Sequence, residues 1–245
     1  MRTIRLALAL VASTSIALVA CTSSDPADSL DMNGTWAGVG ERAGVGTVSV
    51  SATIEDRAIT RLAVDDEATG ERMRLYPIQD QSLRFVTASG VEGRLLTDPG
   101  KAYTLMVIPF RDFAVLQNEA QAPFGEATLA DLDGEWRGTM LGMSGDTSYR
   151  FPATAVCSAG HCALTATGPA TDETGGVVRD VTGVQSILEI AHRTRLAFDL
   201  SWTSTQDASG FGAAFLSKDR TFMGLYGCLS ADVVDACEYG ALLRE

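Results

Sequence analysis

Asp31-Met32-Asn33-Gly34-Thr35-Trp36-Ala37-Gly38 returns one hundred residues later as Asp131-Leu132-Asp133-Gly134-Glu135-Trp136-Arg137-Gly138, with Asp, Gly, Trp and Gly at the same spacing. Similarity fades after this opening, but the strand rhythm that follows it is alike in both halves. The repeat therefore predicts two tandem units, residues 31–120 and 131–245. Between Asn118 and Ala130 the apolar alternation is interrupted by Gln121, Pro123 and Gly125, which places the boundary there.

Working outward, the hydrophobic period is two. Val48, Val50, Ala52 and Ile54 alternate with Thr47, Ser49, Ser51 and Thr53, and Leu196, Phe198, Leu200 and Trp202 alternate with Arg195, Ala197, Asp199 and Ser201. Successive side chains of a strand point to opposite faces, so this is the pattern of half-buried strands. Further runs of this kind in the first unit lie near 57–64, 71–77, 82–88, 91–97, 101–108 and 112–117. Those of the second lie near 135–141, 147–156, 162–167, 176–181, 184–191, 194–202, 211–217, 221–229 and 236–243, all punctuated by Gly, Asp and Pro. Helical periodicity is nowhere sustained. The expected fold is all-β: two tandem small β-barrel or sandwich units of about eight antiparallel strands each.

The short strands carrying Gly34-Thr35-Trp36 and Gly134-Glu135-Trp136, each followed by a meander, resemble the opening of lipocalin-like and avidin-like barrels. That resemblance implies a Trp closing one end of each barrel. A unit of about 100 residues is short for a roomy calyx, and an eight-stranded barrel of this size can be filled by its own side chains.

Ahead of the repeat, Arg2 and Arg5 precede the apolar stretches Leu6–Ala12 and Ile16–Ala20, the pattern of an export signal over residues 1–20. Ser13, Thr14 and Ser15 interrupt the run, which falls short of the roughly 20 apolar residues of a membrane span. Leu18-Val19-Ala20-Cys21 resembles the lipobox of bacterial lipoproteins, which implies cleavage before Cys21 and acylation of its thiol. Residues 21–30 then read as the lipidated Cys and its tether. By the same resemblance, Thr22 after the Cys points to the outer membrane if the host is Gram-negative, and the expected location is the cell envelope, lipid-anchored. The processed chain carries 17 bases against 31 acids, a net charge of −14. It should repel anionic headgroups, so the membrane would be held through the lipid alone.

With Cys21 given to lipid, Cys157, Cys162, Cys228 and Cys237 remain, an even number in an exported, oxidising setting. Each of the short spacings flanks a polar segment between alternating runs, favouring Cys157 with Cys162 and Cys228 with Cys237, each stapling a hairpin. Crossed pairings stay open if the two hairpins are neighbours. His161 beside the first pair offers a superficial zinc set, but the spacing is not that of a zinc site. No metal or cofactor is expected.

An excess of 31 acids over 19 bases argues against nucleic acid as a partner. Gly142-Met143-Ser144-Gly145 lacks the nucleophile-elbow spacing, and neither Ser-x-x-Lys nor His-Glu-x-x-His occurs. Asp65-Asp66-Glu67 supplies oxygens for calcium, yet consecutive acids in a strand cannot all face one ion, and a solvated turn is the simpler reading. Ser209-Gly210-Phe211-Gly212-Ala213-Ala214-Phe215 is similar to the Ser-Gly-x-Gly-Ala-x-Tyr stretch of membrane-bound lysozyme inhibitors. There a Ser and a Lys enter the enzyme cleft, which implies binding roles for Ser209, Gly210, Gly212 and the nearby Lys218. Phe215 departs from the aromatic hydroxyl residue of that motif. Acidic charge would steer such a protein toward basic enzymes. The expected function is a non-catalytic binding or interaction module, inhibiting a secreted basic enzyme such as lysozyme. The alternative is an envelope hydrolase using carboxylate chemistry, which would need a cleft with two facing acids.

Overall fold

In the computed structural model, described over residues 31–42, 45–68, 70–78, 82–98, 102–108, 112–118, 126–144, 147–194, 196–217, 219–229 and 236–245, the period-two segments pair into two antiparallel sheets. The first sheet holds β1 (Gly34–Arg42), β2 (Gly46–Glu55), β3 (Ala58–Val64), β4 (Glu67–Ala68), β5 (Met73–Arg74), β6 (Tyr76–Pro77), β7 (Ser82–Val86), β8 (Glu92–Thr97), β9 (Tyr103–Ile108) and β10 (Asp112–Asn118). The second holds β11 (Gly134–Ser144), β12 (Thr147–Ser158), β13 (His161–Ala166), β14 (Ala170–Thr171), β15 (Val177–Arg179), β16 (Gln185–Thr194), β17 (Ala197–Ser204), β18 (Ser209–Leu216), β19 (Phe222–Leu229) and β20 (Ala236–Arg244). One 3₁₀ turn, Leu129–Leu132, precedes β11.

The second sheet closes on itself. Its eight main strands follow one another as a meander from β11 through β12, β13, β16, β17, β18 and β19 to β20, and β20 pairs back onto β11 from Trp136↔Arg244 to Ser144↔Ala236. The small β14–β15 hairpin hangs on β12 through Arg150↔Thr171. Closure removes every free edge from the main strands.

The first sheet follows the same meander, and β1 likewise pairs with β10, but among the described residues no ladder joins β3 to β7. The two tandem β units expected from the repeat are present, one a closed barrel and the other a half-barrel. The gap is spanned by Met73–Arg74, which pairs with Ala58 and Ile59, and by Tyr76–Pro77, which pairs with β7. Pro77 has no N–H to donate. Two such short pairings cannot replace the ten-residue β16 at the equivalent place of the closed barrel.

Each residue shared by the repeated octapeptides has a structural task. Gly34 and Gly134 have φ of 139° and 130°, in a region L side chains rarely adopt. Trp36 and Trp136 are fully buried, and their indole N–H groups donate to the carbonyls of Met32 (2.9 Å) and Leu132 (2.8 Å), four residues back in both cases. A Cβ on Gly38 or Gly138 would lie 1.8 or 1.9 Å from the carbonyl oxygen of Val115 or Ala241, where the first strand crosses the last. Asp31 accepts the Asn33 N–H at 3.0 Å, and Asp131 completes a capping box with Thr128. Trp136 thus plugs one end of the closed barrel, with Arg244 stacked on its ring at 4.6 Å.

Three cores result. One fills the closed barrel, and one fills the half-barrel. The third lies between the sheets, where the outward faces of β9 and β10 meet those of β11, β18, β19 and β20. Phe113 is its centre, with ring centroids 5.3 Å from Phe215, 5.0 Å from Tyr226 and 6.1 Å from Tyr239, and Tyr103 stacks on Phe222 at 5.5 Å. Every residue of β9 is consequently buried. Arg193 bridges the units to Glu41 at 2.6 Å, and the buried Arg94 pairs across the boundary with Glu173.

Both expected disulfides are present, Cys157–Cys162 across the β12–β13 pair and Cys228–Cys237 across β19–β20. With sequence separations of 5 and 9, loop-closure entropy gives about 2 and about 3 kcal/mol of stabilisation.

Candidate functional site at the open end of the barrel

The end of the closed barrel opposite Trp136 is open and holds a cavity of about 190 Å³. Apolar walls come from Phe151 on β12, Leu164 on β13 and from Val181 and Val184, with Arg179, Ser186, Ser204 and Gln206 at the rim. Three polar side chains face this space, none of them marked by a motif in the sequence: Tyr149, Trp202 and Glu238.

Glycines in register with Glu238 arrange them. Glu238 on β20 pairs with Gly142 of β11 on one side and Gly227 of β19 on the other. Neither neighbour has a side chain, and the space is taken by aromatic rings from further along the barrel wall. A Cβ on Gly142 would fall 2.1 Å from the Tyr149 ring, and one on Gly227 would fall 2.6 Å from Trp202 Nε1. Gly210 makes room for the same indole, since a Cβ there would sit 2.9 Å from Nε1. Glu238 therefore lies between a tyrosine and a tryptophan, each lying over a glycine.

Tyr149 Oη donates to Glu238 Oε1 at 3.3 Å. Burial pushes the Glu238 carboxyl above the ordinary carboxylate range, opposed by the Tyr149 hydrogen bond and the charge of Arg179. Burial and the neighbouring Glu238 push the Tyr149 phenol up to about 12. Trp202 Nε1 is buried and finds no acceptor among the described residues. Such a donor forfeits about 1–3 kcal/mol unless something else accepts its proton.

The raised Glu238 value fixes a pH dependence. In acid the carboxyl is protonated in both the folded and unfolded chain. As pH rises past about 4.5, the unfolded chain releases this proton first while the folded chain still holds it, so stability falls until the folded carboxyl ionises too. Glu238→Gln has no such proton to release. Urea midpoints measured across this window are expected to rise for Glu238→Gln relative to wild type, and parallel profiles would contradict the assignment.

Of the residues singled out from sequence, Cys21 and Lys218 lie outside the described residues. Ser209, Gly210 and Gly212 belong to strand β18, between β17 and β19, in the barrel wall and not in a protruding loop. Ser209 is exposed, but Gly210 is buried, and a Cβ on Gly212 would stand 1.8 Å from the carbonyl oxygen of Tyr226. These glycines permit close strand contact and house Trp202. Asp65 and Asp66 form a turn in which Asp65 accepts the Ser49 N–H at 2.8 Å.

A larger groove, about 490 Å³, follows the boundary between the units. Its charged groups are engaged with one another or with backbone: Arg137 with Glu245 at 2.8 Å, Asp98 with the Tyr103 N–H at 2.6 Å, and Arg244 with the Asp131 carbonyl. Among the described residues lining the barrel mouth, Glu238 is the sole carboxylate, so the mouth offers no facing pair of acids.

No family model and no curated protein matches the chain. Among solved structures, a redesigned beta barrel is similar over 48% of this chain and 94% of its own, at 16% identity and a TM-score of 0.34. A Nostoc punctiforme protein of unknown function from the DUF3598 family is similar over 90% of this chain and 99% of its own, at 12% identity and a TM-score of 0.39. Likenesses this weak identify no activity; the chain is an all-β protein with one closed eight-stranded barrel and one half-barrel on the strength of its own strand pairing.

Proposed function

We infer that this chain is a lipid-anchored envelope protein that binds a small molecule in the mouth of its closed barrel, without catalysis. One observation carries the reading: an apolar cavity of about 190 Å³ faced by a half-buried carboxyl and by an indole N–H with no acceptor among the described residues. Apolar walls with a few convergent polar groups are the usual make-up of a ligand site. The half-barrel packs on the outer wall of the closed barrel through the shared cluster around Phe113. Anchoring rests on Leu18-Val19-Ala20-Cys21. Inhibition of a basic enzyme through Ser209, Gly210 and Gly212 gains nothing from their place in the barrel wall, and hydrolysis by paired carboxylates gains nothing from a mouth with one acid.

Two variants test the two parts. Cys21→Ser should move the protein from the membrane fraction to the soluble fraction of the host. That soluble chain, titrated with toluene and followed by ligand-observed NMR, should bind, and Ser186→Trp, which fills the mouth from its rim, should abolish binding. Retention of Cys21→Ser at the membrane would refute the anchor, and no toluene binding would refute the site.

A further inference from the structure

Resting on that reading, we propose that the barrel mouth is selective for a small neutral ring bearing a hydroxyl group, a phenol-type ligand, whose oxygen accepts from Trp202 Nε1 and whose proton goes to Glu238. Size sets the first limit. A cavity of about 190 Å³ is only a little larger than the roughly 150 Å³ that holds one benzene ring, so the ligand is a single ring with short substituents. The walls suit a flat ring, since Tyr149 and Phe151 stack with centroids 6.3 Å apart and Trp202 faces them from across the barrel.

The head group follows from the two polar groups left available. Trp202 Nε1 can only donate, and it has no acceptor among the described residues. Glu238 receives the Tyr149 hydroxyl on Oε1, while Oε2 accepts no hydrogen bond among the described residues. The indole lies over Gly227, the register partner of Glu238 on the adjoining strand, so the two groups occupy neighbouring places on the barrel wall. A hydroxyl satisfies the two at once, accepting through a lone pair and donating through its proton. A plain hydrocarbon leaves both unmade. A carboxylate head would bring a charge into apolar walls that already disfavour the ionised form of Glu238, a penalty that Arg179 at the rim offsets only from a distance.

The experiment titrates the soluble Cys21→Ser chain with phenol, toluene and benzoate at neutral pH by ligand-observed NMR. Phenol is expected to bind about tenfold more tightly than toluene, the worth of one to two net hydrogen bonds, and benzoate more weakly than either. Trp202→Phe, which keeps the ring and removes the donor, should cut the phenol advantage several-fold while toluene binding holds; Glu238→Gln should lower it in the same direction. Melting curves establish that each variant is folded. Equal affinity for phenol and toluene, or a phenol preference untouched in both folded variants, overturns the hydroxyl assignment and leaves the cavity reading standing. Benzoate binding as tightly as phenol overturns it as well. Binding of none of the three refutes the cavity reading itself.

Discussion

Trp136→Ala is expected to cost about 3–5 kcal/mol, the range for removing a large aromatic from a closed core. The side chain is fully buried at the plugged end of the barrel. Its loss leaves a void, strips the Leu132 carbonyl of the indole N–H it accepts at 2.8 Å, and leaves Arg244 without the ring it covers at 4.6 Å. Leu132 ends the 3₁₀ turn that leads the chain into β11, so the turn loses its tie to the barrel as well. Trp36→Ala removes the corresponding plug from the half-barrel, where the indole donates to the Met32 carbonyl at 2.9 Å, and a cost in the same range is expected. Urea unfolding followed by far-UV circular dichroism reads both. A shift below about 1 kcal/mol in either variant, within what a surface substitution does, would show that the repeated Trp is not a plug.

Much of this architecture was legible in local sequence. Alternation such as Val48, Val50, Ala52 and Ile54 predicted β2, and the same rule located nearly every main strand, because one buried and one solvated face write themselves into a period of two. The hairpin disulfides were legible because each pair joins consecutive strands over a short sequence separation. The gap in the first sheet was not. Met73–Arg74 and Tyr76–Pro77 read as one continuous run, and whether such a run completes a barrel depends on partners distant in sequence.

The interface between the units left a trace that alternation alone cannot explain. Tyr103-Thr104-Leu105-Met106-Val107-Ile108 is buried at every position, the mark of a strand covered on both faces. The mouth was the least legible part. Glu238 is one acid among 31; its meaning comes from Gly142 and Gly227 on either side, a register set by barrel closure and not by neighbouring residues. Gly210 and Gly212 were noticed as a motif, but the signal belonged to strand contact and to the seat of Trp202.

Phe113→Asp is expected to uncouple the two units. Phe113 is buried on the outer face of β10, among Phe215, Tyr226 and Tyr239 of the closed barrel. An aspartate there loses the ring contacts and places a carboxylate among buried aromatic and aliphatic side chains. Leaving a buried charge uncompensated costs about 3–5 kcal/mol. The two sheets should not share this loss equally. The closed barrel retains its full ladder, its own core and both disulfides. The half-barrel has no ladder between β3 and β7, no disulfide among the described residues, and depends on the shared cluster to cover the outer faces of β9 and β10. Hydrogen exchange followed by mass spectrometry is therefore expected to show protection lost in peptides from 46–118 and largely retained in those from 147–229. Phe113→Leu, which keeps an apolar side chain, should cost less than Phe113→Asp and leave both patterns unchanged. If Phe113→Asp instead weakens the barrel peptides as much as the others, the closed barrel is no independent support, and a ligand in its mouth would stabilise the entire chain and not the barrel first.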